Sequence, residues 1–316
     1  MVRVDTAVLV IAFNRPEMLR KVLDSLSEHR FRKIYAFVDG PRNGVTEDIE
    51  KVEKCREMVG KIDFCGELET MICDDNLGCG LGPFSAITQA FEQEKQLIIL
   101  EDDCVPTGAF FQFCEEIFER YANEPKVWMI SGNNFSEGVC PVKGSYVFST
   151  YAHFGGWGTW KRSWETVVYD SKILLNRLNK ESYAGNHSDN PLRFASKKEA
   201  KFFMRIYRQN FEKPDYEGWD YQASIAMRKV RGLSVVPKQN LVSNIGVVGT
   251  HFSGEAKFFN LPIAKNFKVT EHPMEIKADK EYDNCHFRKH WIPMNRRSLC
   301  LRVKTKLKKL RWRFGW

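Results

Sequence analysis

Short apolar runs and helical patterns alternate along the first half of the chain. Residues 6–13 and 97–100 form nearly continuous apolar runs, typical of strands buried on both faces of a parallel sheet. We predict strands over 6–13, 33–38, 68–73, 96–101 and 126–131, and helices over 14–29, 46–58, 84–94 and 109–121. This alternation predicts an α/β fold, a doubly wound sheet with helices on both faces.

The first predicted helix has clear start signals. Asn14 suits the N-cap, Pro16 suits the first turn, and Glu17 completes a capping box. We therefore predict that Asn14 caps this helix and that any contact with a ligand would be an additional role.

The second half of the chain has a different composition. Aromatic residues and glycines are concentrated between 145 and 164, and helical patterns follow at 171–178, 197–211 and up to 229, with a short strand at 233–236. Because no stretch has the composition of a linker, we predict one fused unit instead of two separate domains.

Three consecutive acids, Glu101, Asp102 and Asp103, end the strand predicted over 96–101. Adjacent carboxylates repel one another, and a hard divalent cation is the usual reason for a fold to keep them together. The alternative is a solvated acidic turn. Their place at the carboxyl end of a buried strand, where open α/β sheets bind ligands, favours the cation site.

The glycines at 78, 80 and 82 do not form a dinucleotide fingerprint. Their spacing is GxGxG instead of GxGxxG, and they follow the third predicted strand instead of the first. We interpret this segment as a loop, 74–83, whose backbone passes close to a bound nucleotide or sugar.

The composition is that of a globular enzyme. The chain has 316 residues, of which 43% are hydrophobic and 28% charged, and no apolar run approaches the length of a membrane span. The N-terminal residues lead directly into a strand without a signal-peptide pattern. Nine cysteines without a CxxC pair predict reduced thiols and a cytoplasmic location.

The net charge of +8 is unevenly distributed. Residues 288–316 include 11 Lys and Arg and no acid, whereas the first 287 residues include 37 basic and 40 acidic residues. From 295 to 316, apolar residues including Trp312 and Trp316 alternate with the basic residues, which predicts an amphipathic helix on an anionic membrane surface. The alternatives are a solvated cationic helix and a nucleic-acid-binding tail. We favour the membrane and expect no nucleic acid partner.

Several motifs together resemble the GT-A family of nucleotide-sugar-dependent glycosyltransferases, in particular the inverting N-acetylglucosaminyltransferase type and its bacterial relatives. They are residues 10–16 at the end of the first strand, Asp39 after the second, residues 76–78, and Glu101-Asp102-Asp103 at the DxD position. The likeness covers residues 5–255. It implies a GT-A, Rossmann-like mixed sheet, with a donor-binding half over 1–135, an acceptor-binding half over 136–284, and the basic tail over 285–316.

The resemblance also implies roles for individual residues. Asp103 would bind Mn²⁺ or Mg²⁺, and His251 stands where such enzymes place a metal or diphosphate ligand, although a lone histidine can also be structural. The donor site would comprise Phe13, Asn14, Arg15, Asp39, Asn76, Gly78, Glu101 and Asp102, with Asp39 accepting a hydrogen bond from the base and Asp102 near the ribose.

An inverting transfer needs a carboxylate that takes the proton of the acceptor hydroxyl. The resemblance places it near Asp220, with Glu217 in reserve; Asp220 could also be a simple N-cap, and a retaining mechanism stays open if neither acid faces the anomeric carbon. Trp157 and Trp160, set among glycines, are predicted to form a platform for acceptor sugars.

These features predict an inverting, metal-dependent glycosyltransferase, peripheral on the inner face of the membrane, that uses a nucleotide sugar, with a UDP-sugar favoured, and a glycan or lipid-linked acceptor. A sugar-phosphate nucleotidyltransferase would share the sheet and the acids, but it would carry a glycine-rich basic loop after the first strand, where this chain has 14–17 without glycine. A non-catalytic carbohydrate-binding protein would leave the three acids unexplained.

Overall fold

A computed structural model describes residues 1–180, 192, 194–212, 218–246 and 260–294, except for the side chains of residues 177, 179 and 180. Its strands are Arg3–Val4 (β1), Val8–Ala12 (β2), Arg30–Val38 (β3), Cys65–Ile72 (β4), Gln96–Glu101 (β5), Cys104–Pro106 (β6), Val127–Ser131 (β7), Tyr146–Ser149 (β8), Trp157–Trp160 (β9), Leu233–Pro237 (β10) and Val242–Asn244 (β11). Its α-helices are Pro16–Ser27 (α1), Thr46–Val59 (α2), Gly78–Gln93 (α3), Gly108–Arg120 (α4), Lys161–Trp164 (α5), Ser171–Lys180 (α6), Lys197–Phe211 (α7), Trp219–Lys229 (α8) and Lys280–His286 (α9).

Nine strands form one mixed sheet in the order β4, β3, β2, β5, β9, β7, β10 and β8, with the short β1 also paired to β3. Strands β4, β3, β2 and β5 are mutually parallel, and β9 runs antiparallel between β5 and β7. The chain therefore adds strands on one side of β2 and then crosses to the other side with β5, which makes the carboxyl ends of β2 and β5 a topological switch point.

Both faces of the sheet are covered by helices. In β2, Val8 and Val10 pack with α1, α2 and α4 in one hydrophobic cluster, whereas Leu9 and Ile11 pack with α3 and α8 in another. Successive residues of a strand point to opposite faces, so a strand with apolar residues at every position needs cover on both sides. The predicted α/β fold with a doubly wound mixed sheet and helices on both faces is confirmed.

The predicted cap of α1 is wrong. Arg15 occupies the N-cap position without a side-chain cap bond, and the Asn14 amide instead donates to Asp48 of α2 at 2.7 Å. Arg42 donates two further hydrogen bonds to the same carboxylate, at 2.6 and 2.9 Å. Asn14 therefore ties the start of α1 to α2, because a buried carboxylate 34 residues away is a stronger partner than the local backbone.

The aromatic segment contains two strands that the sequence pattern missed, β8 and β9. Trp157 and Trp160 lie in β9 at the centre of the sheet, with 0% and 3% of their surfaces exposed, so the predicted sugar platform is wrong. Trp157 stacks on Trp219 with ring centroids 5.6 Å apart. A Cβ on Gly158 would lie 2.8 Å from the ring of Phe118, so this glycine permits close packing inside the protein instead of contact with a ligand.

The C-terminal part of the described chain packs on the body. Residues 285–294, which the sequence assigned to the basic tail, continue from α9 into a π-helix, Phe287–Trp291, whose Phe287 and His290 are buried. Residues 295–316 lie outside the described residues.

A disulfide joins Cys140 to Cys285 in α9, 145 residues away, so the prediction that all nine cysteines are reduced is wrong for this pair. Six other cysteines in the described ranges have free thiols. Because disulfides persist mainly in oxidising compartments, cysteine usage no longer supports a cytoplasmic location.

Within the described residues, every helix is too short or too polar to cross a bilayer.

We expect the buried carboxylate of Asp48 to stabilise the fold measurably. Hydrogen bonds from Arg42 lower the pKa of Asp48 to about 2, so its contribution is present above pH 3.8 and is lost as the pH falls towards 2. Asp48→Asn should lower the free energy of unfolding by about 1 to 2 kcal/mol at pH 7, measured by urea denaturation, with a smaller loss at pH 3. The exposed Asp24→Asn variant is the control, and equal losses at both pH values would contradict this account.

Candidate functional site

The polar residues of the candidate site come from strand ends at one edge of the sheet. Arg15 follows β2, Asp39 follows β3, and Glu101, Asp102 and Asp103 end β5 and lead into β6. Because β2, β3 and β5 are parallel, their carboxyl ends meet at this edge. The fold thus gathers at the switch point residues that are up to 88 positions apart in the sequence.

Arg15 binds two of the three acids. Its Nε and Nη2 donate to the two oxygens of Asp102, and its Nη1 donates to Asp103 Oδ2 at 2.8 Å. Only 3% of Asp102 and 7% of Asp103 is exposed. A planar guanidinium matches a carboxylate in this two-point geometry, so Arg15 holds both acids in place.

Asp103 is also held from the second half of the chain. Strand β11 pairs with β6, which places Asn244 beside Asp103, and the Asn244 amide donates to Asp103 Oδ1 at 3.2 Å. A Cβ on Gly246 would lie 2.1 Å from Asp103 Oδ2, so only glycine fits there. Sequence reasoning missed Asn244; the glycine two residues later was the only local signal.

The negative charges of the three acids are only partly neutralised by Arg15. Removal from water, together with repulsion from Asp103 and Asp102, raises the pKa of Glu101 to about 8. Burial likewise raises the pKa of Asp102 to about 6, although Arg15 opposes this. Burial alone would lower the pKa of Arg15, but the attraction of the Asp102 and Asp103 charges is larger, and the pKa of Arg15 is raised as a result. One guanidinium therefore faces three carboxylates.

The predicted base, Asp220, lies close enough to this cluster to repel its charge. Asp220 sits in the first turn of α8, whose N-cap is Gly218, so it is not the N-cap itself. Its negative charge contributes to the raised pKa values of Glu101 and of Cys79 in α3. Burial raises the pKa of Asp220 to about 6, although hydrogen bonds from backbone amides lower it. A carboxylate titrating near pH 6 suits a general base.

Asp39 holds a loop together. Its carboxylate accepts hydrogen bonds from the backbone amides of Gly40, Leu77 and Gly78 and from the Asn76 side chain, all between 2.8 and 3.0 Å. Four bonds use the four acceptor positions of a carboxylate, so a nucleobase would have to displace one of them. The Asp39 carboxylate, which the sequence predicted to bind the nucleobase, therefore has no unused acceptor position in this arrangement.

The glycines of the 78–82 segment belong to helix α3, which begins at Gly78 instead of at the predicted residue 84. Gly78 has a φ of +80°, and a Cβ there would meet open space, so its backbone conformation explains the glycine.

Phe13 lies at the end of β2, half-buried, with the Arg42 guanidinium 5.6 Å from its ring centroid. Its backbone amide also donates to Asp102 and lowers the pKa of that acid. Two predicted residues, Glu217 and His251, lie outside the described residues.

The cluster fits a divalent cation such as Mn²⁺ or Mg²⁺. Carboxylate oxygens are the ligands these hard cations prefer, and Asp103 presents both of its oxygens to neighbouring polar groups at the switch point. Burial first, and then repulsion from Asp103 and Asp102, raises the pKa of Glu101 in this cluster. A cation would share Asp103 with Arg15 and relieve this repulsion.

No protein-family model matches the chain, and no curated protein matches it. Among solved structures it is similar to S. aureus TarS at 15% identity and a TM-score of 0.29, over 40% of this chain and 21% of that one, so the chain spans about a fifth of TarS. It is also similar to the mannosyltransferase PcManGT from Pyrobaculum calidifontis in complex with GDP-Man and Mn²⁺, at 12% identity and a TM-score of 0.36, over 72% of this chain and 87% of that one.

A further similar structure is a CMP:2-keto-3-deoxy-manno-octonic acid synthetase complexed with CTP, at 11% identity and a TM-score of 0.31, over 56% of this chain and 84% of that one. These matches include a glycosyltransferase, the class that the motifs resemble. At such TM-scores they carry no argument about activity.

We expect Mn²⁺ to stabilise the protein more at high pH than at low pH. Because folding raises the pKa values of Glu101 and Asp102, ionisation of these acids destabilises the fold as the pH rises from about 4 to 8, and a bound cation reverses this. Saturating Mn²⁺ should raise Tm by about 4 °C at pH 8 and by less than about 1 °C at pH 5.

The matched variants for this measurement are Asp103→Asn, which should abolish the rise, and Asp63→Asn at an exposed position, which should retain it. A rise of equal size at both pH values would show that Mn²⁺ does not bind the acids.

Proposed function

We propose that the chain is a metal-dependent glycosyltransferase of the GT-A type, which transfers a sugar from a nucleotide-sugar donor to a hydroxyl of an acceptor with inversion at the anomeric carbon. The single observation that carries this proposal is the placement of Asp102 and Asp103, nearly fully buried, at the switch point between β2 and β5. Ligands of open α/β sheets bind at such a point.

The nucleotide end of the donor has residues to bind it beside the acids, at the ends of the two neighbouring strands on one side of β5. Phe13, Asn14 and Arg15 stand at the end of β2, and Asp39 with the 76–78 loop stands at the end of β3. A diphosphate between them would meet the Arg15 guanidinium, and a bound Mn²⁺ or Mg²⁺ would supply Lewis-acid neutralisation of the departing diphosphate. A UDP-sugar is our preferred donor on the motif resemblance alone.

Asp220 is the proposed general base. Its carboxylate accepts the proton of the acceptor hydroxyl as that oxygen forms a bond to the anomeric carbon, while the bond between the anomeric carbon and the diphosphate oxygen breaks. Two features support the assignment: electrostatic proximity to Glu101 and a pKa raised by burial to about 6. Glu217 and His251 keep their predicted roles as reserve base and as metal or diphosphate ligand.

The acceptor is proposed to be a glycan or lipid-linked saccharide at a membrane surface. The 11 basic residues without an acid over 288–316 support binding to an anionic membrane, and peripheral attachment on its cytoplasmic side rests on this tail alone.

The donor assignment is tested by nucleotide release. Purified protein with Mn²⁺ should release the nucleotide from one member of a panel of UDP-, GDP-, dTDP- and CMP-sugars, a nucleoside diphosphate from the first three and CMP from the last. The rate should fall by at least about 100-fold in Asp103→Asn but not in Asp63→Asn. Release of pyrophosphate from a nucleoside triphosphate and a sugar phosphate would indicate a nucleotidyltransferase instead. Donor binding without any release would indicate a binding protein.

The role of Asp220 is tested by the pH dependence of the transfer rate. Because the base must be ionised, kcat/KM should fall as the pH drops below about 6, with Glu101 and Cys79 as the neighbouring titratable groups. Asp220→Asn should lower kcat by about 10² to 10⁴-fold at unchanged donor affinity. Glu281→Gln, which removes an exposed acid from the first turn of α9, controls for the helix dipole; equal effects would make Asp220 a structural residue.

A further inference from the structure

Three buried histidines form a cluster that the proposed sugar transfer does not use. His153 precedes β9, His286 ends α9, and His290 lies in the π-helix, and at most 5% of each is exposed. One ring nitrogen of each lies within 4.8 Å of those of the other two, and the Nε2 atoms of His153 and His286 are 3.0 Å apart. One nitrogen of each ring thus lies in the same small region of the protein interior.

The backbone places the two C-terminal histidines side by side. Residues four apart share a helix face, and here a π-helical turn follows His286 and stacks the ring of His290 on it, with centroids 4.8 Å apart. The His290 ring must therefore turn out of this stack before its nitrogen can face an ion that His286 holds. π-helical turns are rare and occur often at functional sites.

A hydrogen bond to the cluster from outside resembles those that orient metal-binding histidines in other proteins. Ser136 Oγ lies 2.7 Å from His286 Nδ1, so the Nδ1 proton can be donated outward and the Nε2 lone pair can point to the centre. The Cys140–Cys285 disulfide fixes α9 to the segment that carries Ser136.

We propose that His153, His286 and His290 bind a zinc ion. Neutral imidazole nitrogens suit Zn²⁺ and not Mg²⁺ or Mn²⁺, and three histidines with a fourth position for water or an exogenous ligand are a known zinc arrangement. Tetrahedral Zn–N bonds place ligand nitrogens about 3.3 Å apart, so one pair of nitrogens is near its final spacing and the third ring must approach by about 1.5 Å.

At most 5% of each histidine is exposed, so a zinc ion here would be shielded from solvent, and zinc binds the neutral form of histidine. A zinc ion here would fasten the segment leading into β9 to the C-terminal helix α9. This site uses nitrogen ligands, whereas the acids at the switch point offer only oxygens, so the two centres should select different metals.

The test uses the full chain, stripped of metal and titrated with Zn²⁺ and with Co²⁺ as a spectroscopic probe, without reductant. About one equivalent should bind, Co²⁺ should show the intense visible bands of four-coordinate geometry, and Zn²⁺ should raise Tm by about 5 °C. Asp103→Asn and His29→Gln, which replaces a buried histidine outside the cluster, should retain binding; His153→Gln and His286→Gln should lose it.

X-ray absorption of the wild-type zinc protein gives a result that does not depend on whether the variants fold, and it should show three imidazole ligands. The proposal is overturned if wild-type protein binds no Zn²⁺, or if folded His153→Gln protein binds Zn²⁺ as wild type does. It is also overturned if the cobalt spectrum shows thiolate charge transfer or weak six-coordinate bands, or if the X-ray absorption data show no imidazole ligands.

Discussion

The pairing of Arg15 with Asp102 and Asp103 is the interaction on which the candidate site depends. Three carboxylates at the end of one buried strand repel one another, and a single guanidinium faces all three. Burial, with this repulsion added to it, raises the pKa values of Glu101 and Asp102. A folded chain that keeps such a charge imbalance gains from a cationic ligand. The same imbalance that weakens the metal-free fold at high pH therefore supplies the driving force for binding.

The second half of the chain completes this site from a distance. Strand β11 pairs with β6 and brings Asn244 and Gly246 against Asp103, and helix α8 brings Asp220 towards Glu101. Strand β9, inserted antiparallel between β5 and β7, joins the two halves into one sheet. Each half therefore supplies groups to the candidate site.

The molecule carries two clusters of potential metal ligands with opposite chemistry. The acids at the switch point offer hard oxygen ligands at the carboxyl ends of the strands, and the three histidines offer nitrogen ligands in the interior. Hard cations bridged to phosphate suit the first cluster, and a zinc ion that ties helix α9 to the body suits the second. Burial of the second cluster favours a structural role.

The local sequence pattern was sufficient to predict most of the strands and helices in the first half of the chain, which contains the parallel strands. Continuous apolar runs identified β2, β3 and β5, and helical periodicity identified α1, α2, α4 and α7. Both signals come from the spacing of apolar residues within one short segment of the chain, so they can be recognised without the tertiary structure. The triplet 101–103 was also recognisable, since a strand that ends in three acids is unusual in itself.

Contacts between distant residues were decided only by the tertiary structure. Asn14 resembles an N-cap until Asp48 is placed beside it, Trp157 resembles a sugar platform until it is seen in a central strand, and Cys140 gives no sign of Cys285. The three histidines are likewise separated by up to 137 positions. A sequence pattern indicates whether a residue lies in a helix or a strand. Hydrogen bonds, disulfides and ligand clusters depend instead on which helices and strands the chain brings together. For this reason the fold could be predicted from the sequence and these contacts could not.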